Sequence, residues 1–174
     1  PDEVVEAIVT DAADLGILSF PGPNRSLTII PWHTEPMVFV CSSTHPLATA
    51  KRVSAAEVVK QQFVAFDKSL AIRKAVDRAL RSQGQKIEVT MQFDNIETIK
   101  EAITTQSGVS ILPLTSVRRE VEEGVLTTAA LDMPALSRPV GIIHRRHKQL
   151  GSSTVALLEF LQKYRPGDRV GSSG

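Results

Sequence analysis

The sequence predicts an α/β fold in which most strands run parallel. Short apolar runs that suit buried strands alternate with amphipathic helical segments along the whole chain of 174 residues. Residues 63–112 read strand, helix, strand, helix, strand, which is a complete βαβαβ unit. Gly84, Gly108 and Gly124 each follow a helical pattern, where a left-handed residue commonly ends a helix.

The first third of the chain predicts one helix followed by strands. The helix has an apolar face, and Asp2 and Glu3 lie in its first turn, where the helix dipole favours acidic residues. Residues 15–18 form a short apolar run, residues 27–31 alternate weakly, and residues 35–41 are apolar on both faces. A strand that is apolar on both faces is typical of the centre of a sheet.

The middle of the chain predicts two strands and two helices. Ser54 and Glu57 have the spacing of a capping box, which predicts a short helix through Lys60. Residues 63–66 form a strand. Asp67 or Ser69 then caps a longer helix, and residues 87–93 alternate as a further strand.

Residues 93–113 organise the rest of the chain. Asp94 and Glu97 have the capping-box spacing. Ile96, Ile99 and Ile103 then recur on one helical face. Residues 109–112 are rich in β-branched side chains and suit a buried parallel strand that Pro113 stops.

The last third predicts a polar helix over residues 115–123, strands over 125–131 and 140–144, and a closing helix. Ser152 or Ser153 caps that helix. Its apolar side chains are expected to face inward: Leu157, Leu158, Leu161 and Tyr164. The basic run 145–148 is interpreted as a solvated turn, with contact to a sister subunit as the alternative.

Composition and motifs exclude several classes of protein. Lys and Arg total 20 against 19 Asp and Glu, so no broad basic face for nucleic acid is expected. Cys41 is the single cysteine and is interpreted as a core filler. The four His residues lack metal-ligand spacing, and the chain has no nucleophile elbow, P-loop or dinucleotide fingerprint. We therefore predict no enzyme activity, no metal and no cofactor.

Four stretches carry a resemblance to a known family. They are ADLGIL (13–18), EPMVFVCSSTHPLA (35–48), FDNIETIKEAITTQSGVSILP (93–113) followed by EEGVL (122–126), and SSTVALLEFL (152–161). In this order and spacing they resemble the effector-binding domain of LysR-type transcriptional regulators. The resemblance implies two Rossmann-like lobes of the type 2 periplasmic-binding-protein kind.

The resemblance also implies a division of the chain. Residues 1–61 are the first part of lobe I, residues 62–137 are lobe II, and residues 138–166 return to lobe I and end in its C-terminal helix. Residues 167–174 are expected to be a disordered tail or a cloning remnant. Domains of this family begin with a strand, a helix and a second strand before ADLGIL, and these are absent here, as is the helix-turn-helix. The resemblance thus covers about three-quarters of an effector domain and about half of a regulator.

Ligands of open α/β sheets bind where the carboxyl ends of parallel strands meet helix N-termini. Applied to this chain, that rule predicts effector contacts for a set of residues near such ends: Ser19, Phe20, Phe66, Asp67, Ser69, Phe93, Asn95, Ile96 and Ser110. Ser42 and Ser43 are weaker candidates. The set suits a small carboxylate or an aromatic metabolite, and Asn95 is the foremost side chain.

Structural alternatives exist for most of these residues. Asp67, Ser69 and Asp94 are also explained by helix capping. Phe66 and Phe93 are also explained as core. Ser110 is either a core hydroxyl with a satisfied hydrogen bond or a gap left for a close neighbour.

The predicted function is effector sensing and dimerisation in a cytoplasmic bacterial regulator. The resemblance implies a small-molecule effector bound between the lobes, a homodimer or homotetramer, and DNA contact only through a helix-turn-helix outside this chain, with no membrane. The family pairs two helices whose apolar residues here are Val4, Val5, Ile8, Ile72, Val76 and Leu80. Alternatively, both apolar stripes face the sheets of the chain itself. The rival function is a periplasmic solute-binding protein of a transporter.

Overall fold

The computed structural model describes residues 2–106, 108–164 and 166. The chain divides into two compact units: a first lobe of Pro1–Thr34 with Pro139–Gly174, and a second lobe of Glu35–Arg138. The predicted tail, residues 167–174, lies outside the described residues.

Helices and strands alternate over residues 55–113, as predicted, whereas strands follow one another directly before and after that segment. The helices are α1 (Asp2–Val9), α2 (Ala55–Val59), α3 (Ala71–Ser82), α4 (Ile96–Gln106), a 3-10 helix (Leu114–Val117), α5 (Arg118–Glu122) and α6 (Ser152–Lys163). The strands are β1 (Gly16–Ser19), β2 (Leu27–Ser42), β3 (Arg52–Ser54), β4 (Phe63–Phe66), β5 (Val89–Phe93), β6 (Val109–Pro113), β7 (Leu126–Asp132) and β8 (Ser137–Arg145).

The first lobe is built on antiparallel strands. β1 pairs with β8, and β8 also neighbours β2. Helix α1 covers β1 closely, because a Cβ added at Gly16 would lie 2.8 Å from Cγ1 of Val4. Ile8, Leu27 and Ile143 form the buried core beneath this helix.

The second lobe contains a mixed sheet. β4 lies between β5 and β6 and is parallel to both, whereas β2 is antiparallel to β6 and β7. Both faces of this sheet are buried. Phe39 and Phe63 belong to the core cluster that includes Val76 of α3, and Val40 and Val64, their neighbours in sequence, belong to the cluster that includes Ile99 and Ile103 of α4.

In the structure the chain first passes from the first lobe to the second at Thr34–Glu35, whereas the sequence predicted this passage near residue 61. The reason is β2, a continuous strand of 16 residues whose second half joins β6 and β7. The return crossing at Arg138–Pro139 lies within a residue of the predicted position. Because β2 and β8 pair antiparallel with their partners, the sheets are mixed and not mostly parallel.

Three local predictions also differ from the structure. The strand β3 was not anticipated. Gly108 does not adopt a left-handed conformation; it is needed because a Cβ there would lie 2.9 Å from Cγ2 of Val64. Helix α6 contributes no fully buried side chain: of its predicted inward residues, Leu157 and Tyr164 are 50% and 40% exposed, whereas Leu158 and Leu161 are partly buried, so only part of the predicted face packs inward. Within the described residues, no helix combines the length and apolar character that a membrane span requires.

Candidate effector site

The ends of β4 and β5 lie side by side in the second lobe. Phe66 pairs with Phe93 in the parallel register, and the N–H of Asp67 donates to the carbonyl of Phe93 at 2.8 Å. The helices that follow the two strands, α3 and α4, therefore begin side by side at the carboxyl ends of the strands. We call residues Asp67–Leu70 the β4 end and residues Asp94–Asn95 the β5 end.

The β4 end is a turn that bonds to itself. The Asp67 carboxylate accepts from the Ser69 hydroxyl at 2.7 Å and from the Ser69 N–H at 2.9 Å. The hydrogen bond from the Ser69 hydroxyl is the main cause that holds the pKa of Asp67 below its usual range. Helix α3 starts one residue after Leu70, which offers no side-chain cap. The prediction that Asp67 or Ser69 caps this helix is therefore wrong.

Arg73 fixes the β4 end from within α3, and sequence reasoning missed it. Its Nη1 donates to the carbonyl of Phe66 at 2.8 Å, and its Nε lies 3.0 Å from the Asp77 carboxylate. The Arg73 side chain is 13% exposed. The Arg73–Asp77 spacing of four on a helix was the available signal.

The β5 end is capped by its own side chain. Oδ1 of Asn95 accepts from the N–H and the hydroxyl of Thr98, both at 2.9 Å, and Nδ2 of Asn95 lies 3.1 Å from Asp94. The cap is thus Asn95 with Thr98, one residue later than the predicted pair of Asp94 and Glu97. Asn95 is exposed, but its side-chain amide oxygen is already bonded to Thr98 of the helix.

The β6 end is closed by an internal carboxylate. Glu35 is only 4% exposed, and its Oε1 accepts the N–H of Thr115 in the 3-10 helix at 3.1 Å. Its Oε2 accepts from Nε of Arg138 at 3.1 Å and also pairs with Nη2 of the same residue. Glu35 and Arg138 are 103 residues apart, so no local pattern could have revealed the pair.

The apolar candidates differ in how much surface they offer. Phe66 is 5% exposed and belongs to the core, whereas Phe93 and Ile96 are partly buried at its margin. Ser110 is 1% exposed, and its hydroxyl donates to the carbonyl of Val64 at 2.7 Å. The satisfied core hydroxyl is therefore the alternative that describes Ser110, which presents no surface to a ligand.

The remaining candidates lie elsewhere. Ser19 is exposed and Phe20 is partly buried at the end of β1 in the first lobe. Phe20 has a φ of 50°, a conformation rarely adopted by a bulky residue. Ser42 is buried at the end of β2 in the second lobe, next to the start of β6 and thus away from the strand ends.

The residues predicted for a dimer interface mostly face the core of the chain itself. Ile8, Val76 and Leu80 are 1–2% exposed, and Val4, Val5 and Ile72 are partly buried against the same clusters. The alternative for these stripes, a sheet-facing role, describes Ile8, Val76 and Leu80. Buried side chains cannot also cover a partner, so an interface on α1 or α3 would use their outward faces.

Cys41 is buried, with its Sγ 3.3 Å from the hydroxyl of Thr127, and burial raises the pKa of its thiol. It is therefore a core side chain, as predicted. Over the described ranges, no group of three or more His, Cys, Asp and Glu residues is arranged to hold a metal ion.

Comparison with known proteins identifies the family. The model of the LysR substrate binding domain matches residues 1–166. The RuBisCO operon transcriptional regulator of Allochromatium vinosum is 26% identical over 160 residues, which cover 92% of this chain and 53% of that protein. The HTH-type transcriptional regulator YeiE of Escherichia coli K12 is 28% identical over 160 residues, with 91% and 54% covered. The chain belongs to the LysR substrate-binding domain family.

Solved structures show the same fold. The regulatory domain of Synechocystis PCC6803 CcmR in complex with 2-PG is 24% identical and superposes with a TM-score of 0.79 over 92% of this chain and 77% of that one. The effector-binding domain of QuiR in complex with shikimate gives 0.82 at 15% identity, with 93% and 76% covered. These likenesses confirm the predicted type 2 periplasmic-binding-protein-like fold.

The comparisons also bear on the class of protein. The family is one of transcriptional regulators with effector-binding domains and not of enzymes, as predicted. The chain spans about half the length of the curated relatives it matches.

Proposed function

We propose that this chain is the effector-sensing and dimerising part of a transcriptional regulator, and that it binds a small carboxylate or aromatic metabolite at the β4 and β5 ends. The single observation that carries the proposal is the uncapped start of α3. Leu70, its N-cap residue, provides no side-chain cap, and among the described residues no side chain accepts the first N–H groups of α3, whereas Asn95 caps α4 beside it. A helix of 12 residues with free N–H groups at a strand end is a favourable position for an anion.

The surroundings of α3 support a carboxylate. Lys68 is exposed in the turn that precedes the helix, and the guanidinium of Arg73 lies in its first turn. The Asp67 carboxylate is directed to Ser69 and not to the helix N–H groups. Phe93 and Ile96, which are partly buried, supply apolar surface for the body of the metabolite.

Asn95 and Ser69 add hydroxyl or amide contacts through the hydrogen-bonding capacity that the turns leave free. Ser19 and Phe20 stay predicted contacts in the first lobe. The left-handed conformation of Phe20 supports a functional role there, because backbone strain of about 1–3 kcal/mol concentrates at ligand sites.

The effector site can be tested with two matched proline variants. Ala71 is the first residue of α3, where proline is tolerated but removes one N–H, and Leu70 already has the extended conformation (φ −76°, ψ 142°) that precedes proline. Ser152→Pro makes the same change at the first residue of α6, after extended Gly151. The wild-type chain is first screened by thermal shift against small carboxylates, amino acids and aromatic acids.

We expect a stabilising carboxylate whose affinity falls about tenfold in Ala71→Pro and stays unchanged in Ser152→Pro. Asn95→Ala should weaken the same ligand. Equal affinity in Ala71→Pro and the wild type would place the pocket away from α3 and refute the site.

We also propose that the chain forms a homodimer, or a homotetramer built from such dimers, through the outward faces of α1 and α3. The exposed face of α1 carries Asp2, Glu3 and Glu6, and that of α3 carries Lys74, Arg78 and Arg81. Within the described part of the chain, none of these six side chains has an oppositely charged partner within 4.0 Å, as the observed ion pairs involve other residues. An acidic helix and a basic helix on one molecule fit a two-fold contact in which each pairs with the other in the second copy.

Charge reversal tests this contact. Lys74→Glu with Arg78→Glu should weaken self-association in sedimentation equilibrium, and adding Glu3→Lys with Glu6→Lys should restore it. An association constant that neither set of substitutions changes would exclude the α1–α3 contact.

In the complete protein, effector binding would alter dimer packing and so bias DNA-binding domains outside this chain, in the cytoplasm and without a membrane partner. The rival function, a periplasmic solute-binding protein, would require a signal peptide before Pro1 in place of a helix-turn-helix. The regulators named above favour the first reading. The gene sequence upstream of Pro1 decides between the two.

A further inference from the structure

A shallow cavity in the first lobe lies between the loop that precedes β2 and the turn that follows β8. Its volume is about 490 Å³, and it is lined by Pro23, Asn24, Arg25, Leu27, Ile29 and Arg146. All of these residues belong to the first lobe. The predicted effector contacts of that lobe, Ser19 and Phe20, do not line the cavity.

Hydrogen bonds fix the backbone around this cavity. The N–H of Arg146 donates to the carbonyl of Ser26 at 2.8 Å, which joins the turn to the loop. Within the loop, Oδ1 of Asn24 accepts the N–H of Ser26 at 2.8 Å, and the N–H of Leu27 donates to the carbonyl of Asn24 at 3.3 Å. The backbone positions that carry the Arg25 and Arg146 side chains are therefore neighbours and are held by hydrogen bonds.

The charges beside the cavity are unequally compensated. Arg145 and Lys148 pair with Asp11, and Lys148 also lies 2.8 Å from Asp14. A hydrogen bond from Lys148 is the main cause that lowers the pKa of Asp11. The carboxylates of Asp11 and Asp14 together balance the two cations. In contrast, over residues 2–106, 108–164 and 166, no carboxylate lies within 4.0 Å of Arg25 or Arg146.

The floor of the cavity is apolar. Its accessible apolar lining consists of Pro23, which is exposed, and Ile29, which is partly buried, while Leu27 lies beneath them and is 2% exposed. Two guanidinium groups without a carboxylate partner, next to an apolar surface, favour a small ligand with one carboxylate and a compact apolar group. A guanidinium can bind the ligand carboxylate in a bidentate way, and the apolar group of the ligand can cover the apolar surface.

We propose that this cavity is a second ligand site, which binds a small organic monoanion through Arg25 and Arg146. The probe is cyclohexanecarboxylate, titrated into the full chain and followed by amide chemical shifts. We expect the shifts to cluster on residues 24–29 and 141–146. Arg25→Gln with Arg146→Gln should weaken binding at least about tenfold, because each loses a charge-assisted hydrogen bond.

The matched control removes the same charge elsewhere. Arg52 and Arg119 are exposed and lie in the second lobe, so Arg52→Gln with Arg119→Gln changes net charge equally without touching the cavity. This control should bind the probe like the wild type. Equal losses in both double variants would attribute binding to net charge and overturn the proposal.

Two further ligands separate the contributions of charge and floor. Cyclohexylmethanol has the body without the charge, and inorganic phosphate has charge without the body. Each should bind these residues about tenfold more weakly than cyclohexanecarboxylate. Equal binding of either one would overturn the proposed pairing of guanidinium groups with an apolar floor.

Discussion

The β4 and β5 ends lie side by side, yet the helices that follow them begin differently. The Asn95 side chain accepts the N–H of Thr98 in the first turn of α4, while α3 begins at Leu70, which provides no side-chain cap. The carboxylate that could have capped α3, Asp67, turns to Ser69 instead. The difference shows that adjacent strand ends of one sheet need not be equivalent: one helix start has a side-chain cap, and the other leaves that donor free.

The largest expected effect comes from the third strand end, that of β6. Arg138→Met would leave the buried Glu35 carboxylate without its cation, so we expect the free energy of unfolding to fall by about 3–5 kcal/mol. Urea denaturation measures it. Arg52→Met is the control, since its pair with Asp132 has side chains that are 63% and 64% exposed, and it should cost at most about 1 kcal/mol.

Adding Glu35→Gln to Arg138→Met removes the unpaired charge and should recover part of the loss. Similar small losses in Arg138→Met and Arg52→Met would show that the β6 end is not held closed by an internal carboxylate. That end would then have to be considered as open as the β4 end.

A smaller loss is expected from the β4 end itself. Arg73→Met removes the donors to Phe66 and Asp77 and should lower the free energy of unfolding by about 2 kcal/mol, because the Arg73 side chain is largely buried. Arg119→Met breaks an equally spaced pair whose Arg is 82% exposed and should change stability by less than about 0.5 kcal/mol. If the two variants lose the same amount, Arg73 does not anchor the β4 end.

These contacts mark how far sequence reasoning reached. The alternation of strands and helices over residues 55–113, the capping box of Ser54 and Glu57, and the central position of residues 37–41 followed from local patterns that the structure confirms. The capping residues at the β4 and β5 ends did not, because Asp67, Ser69, Asp94 and Asn95 are all chemically able to cap. Which of them does so depends on where the strand stops, and the bond from Asp67 to Phe93 on the neighbouring strand fixes that point.

Long-range polar contacts could not be predicted from the sequence for a related reason. Glu35 reads as part of an apolar strand, and only the fold brings Arg138 and Thr115 to it. The same applies to the apolar stripes of α1 and α3, whose periodicity indicates a buried face without saying whether a sheet or a second copy covers it.

The cap at the β5 end provides a third test. Asn95→Ala removes both acceptor contacts to Thr98 and should cost about 1 kcal/mol in the free energy of unfolding. Ser69→Ala at the β4 end, where no helix N–H is lost, should stay within about 0.5 kcal/mol of the wild type. A Ser69→Ala loss as large as that of Asn95→Ala would mean that the two ends are held in the same way.

The smallest effect is a difference in pH dependence between the ends. Because hydrogen bonds from Ser69 depress the pKa of Asp67 in the folded chain, the turn contributes stability above the unfolded pKa and loses it as pH falls through the folded value. The amide of Asn95 does not titrate, so the β5 cap should keep its contribution. We therefore expect the stability difference between the wild type and Asp67→Asn to shrink between about pH 7 and about pH 2. The difference for Asn95→Ala should stay constant over that range.

NMR titration of the Asp67 carboxyl carbon checks the cause, since Ser69→Ala should raise the pKa of Asp67 toward its usual range. An Asp67 pKa that Ser69→Ala leaves unchanged would show that the β4 turn does not consume this carboxylate, which would then stand at the start of α3 and disfavour an anion there.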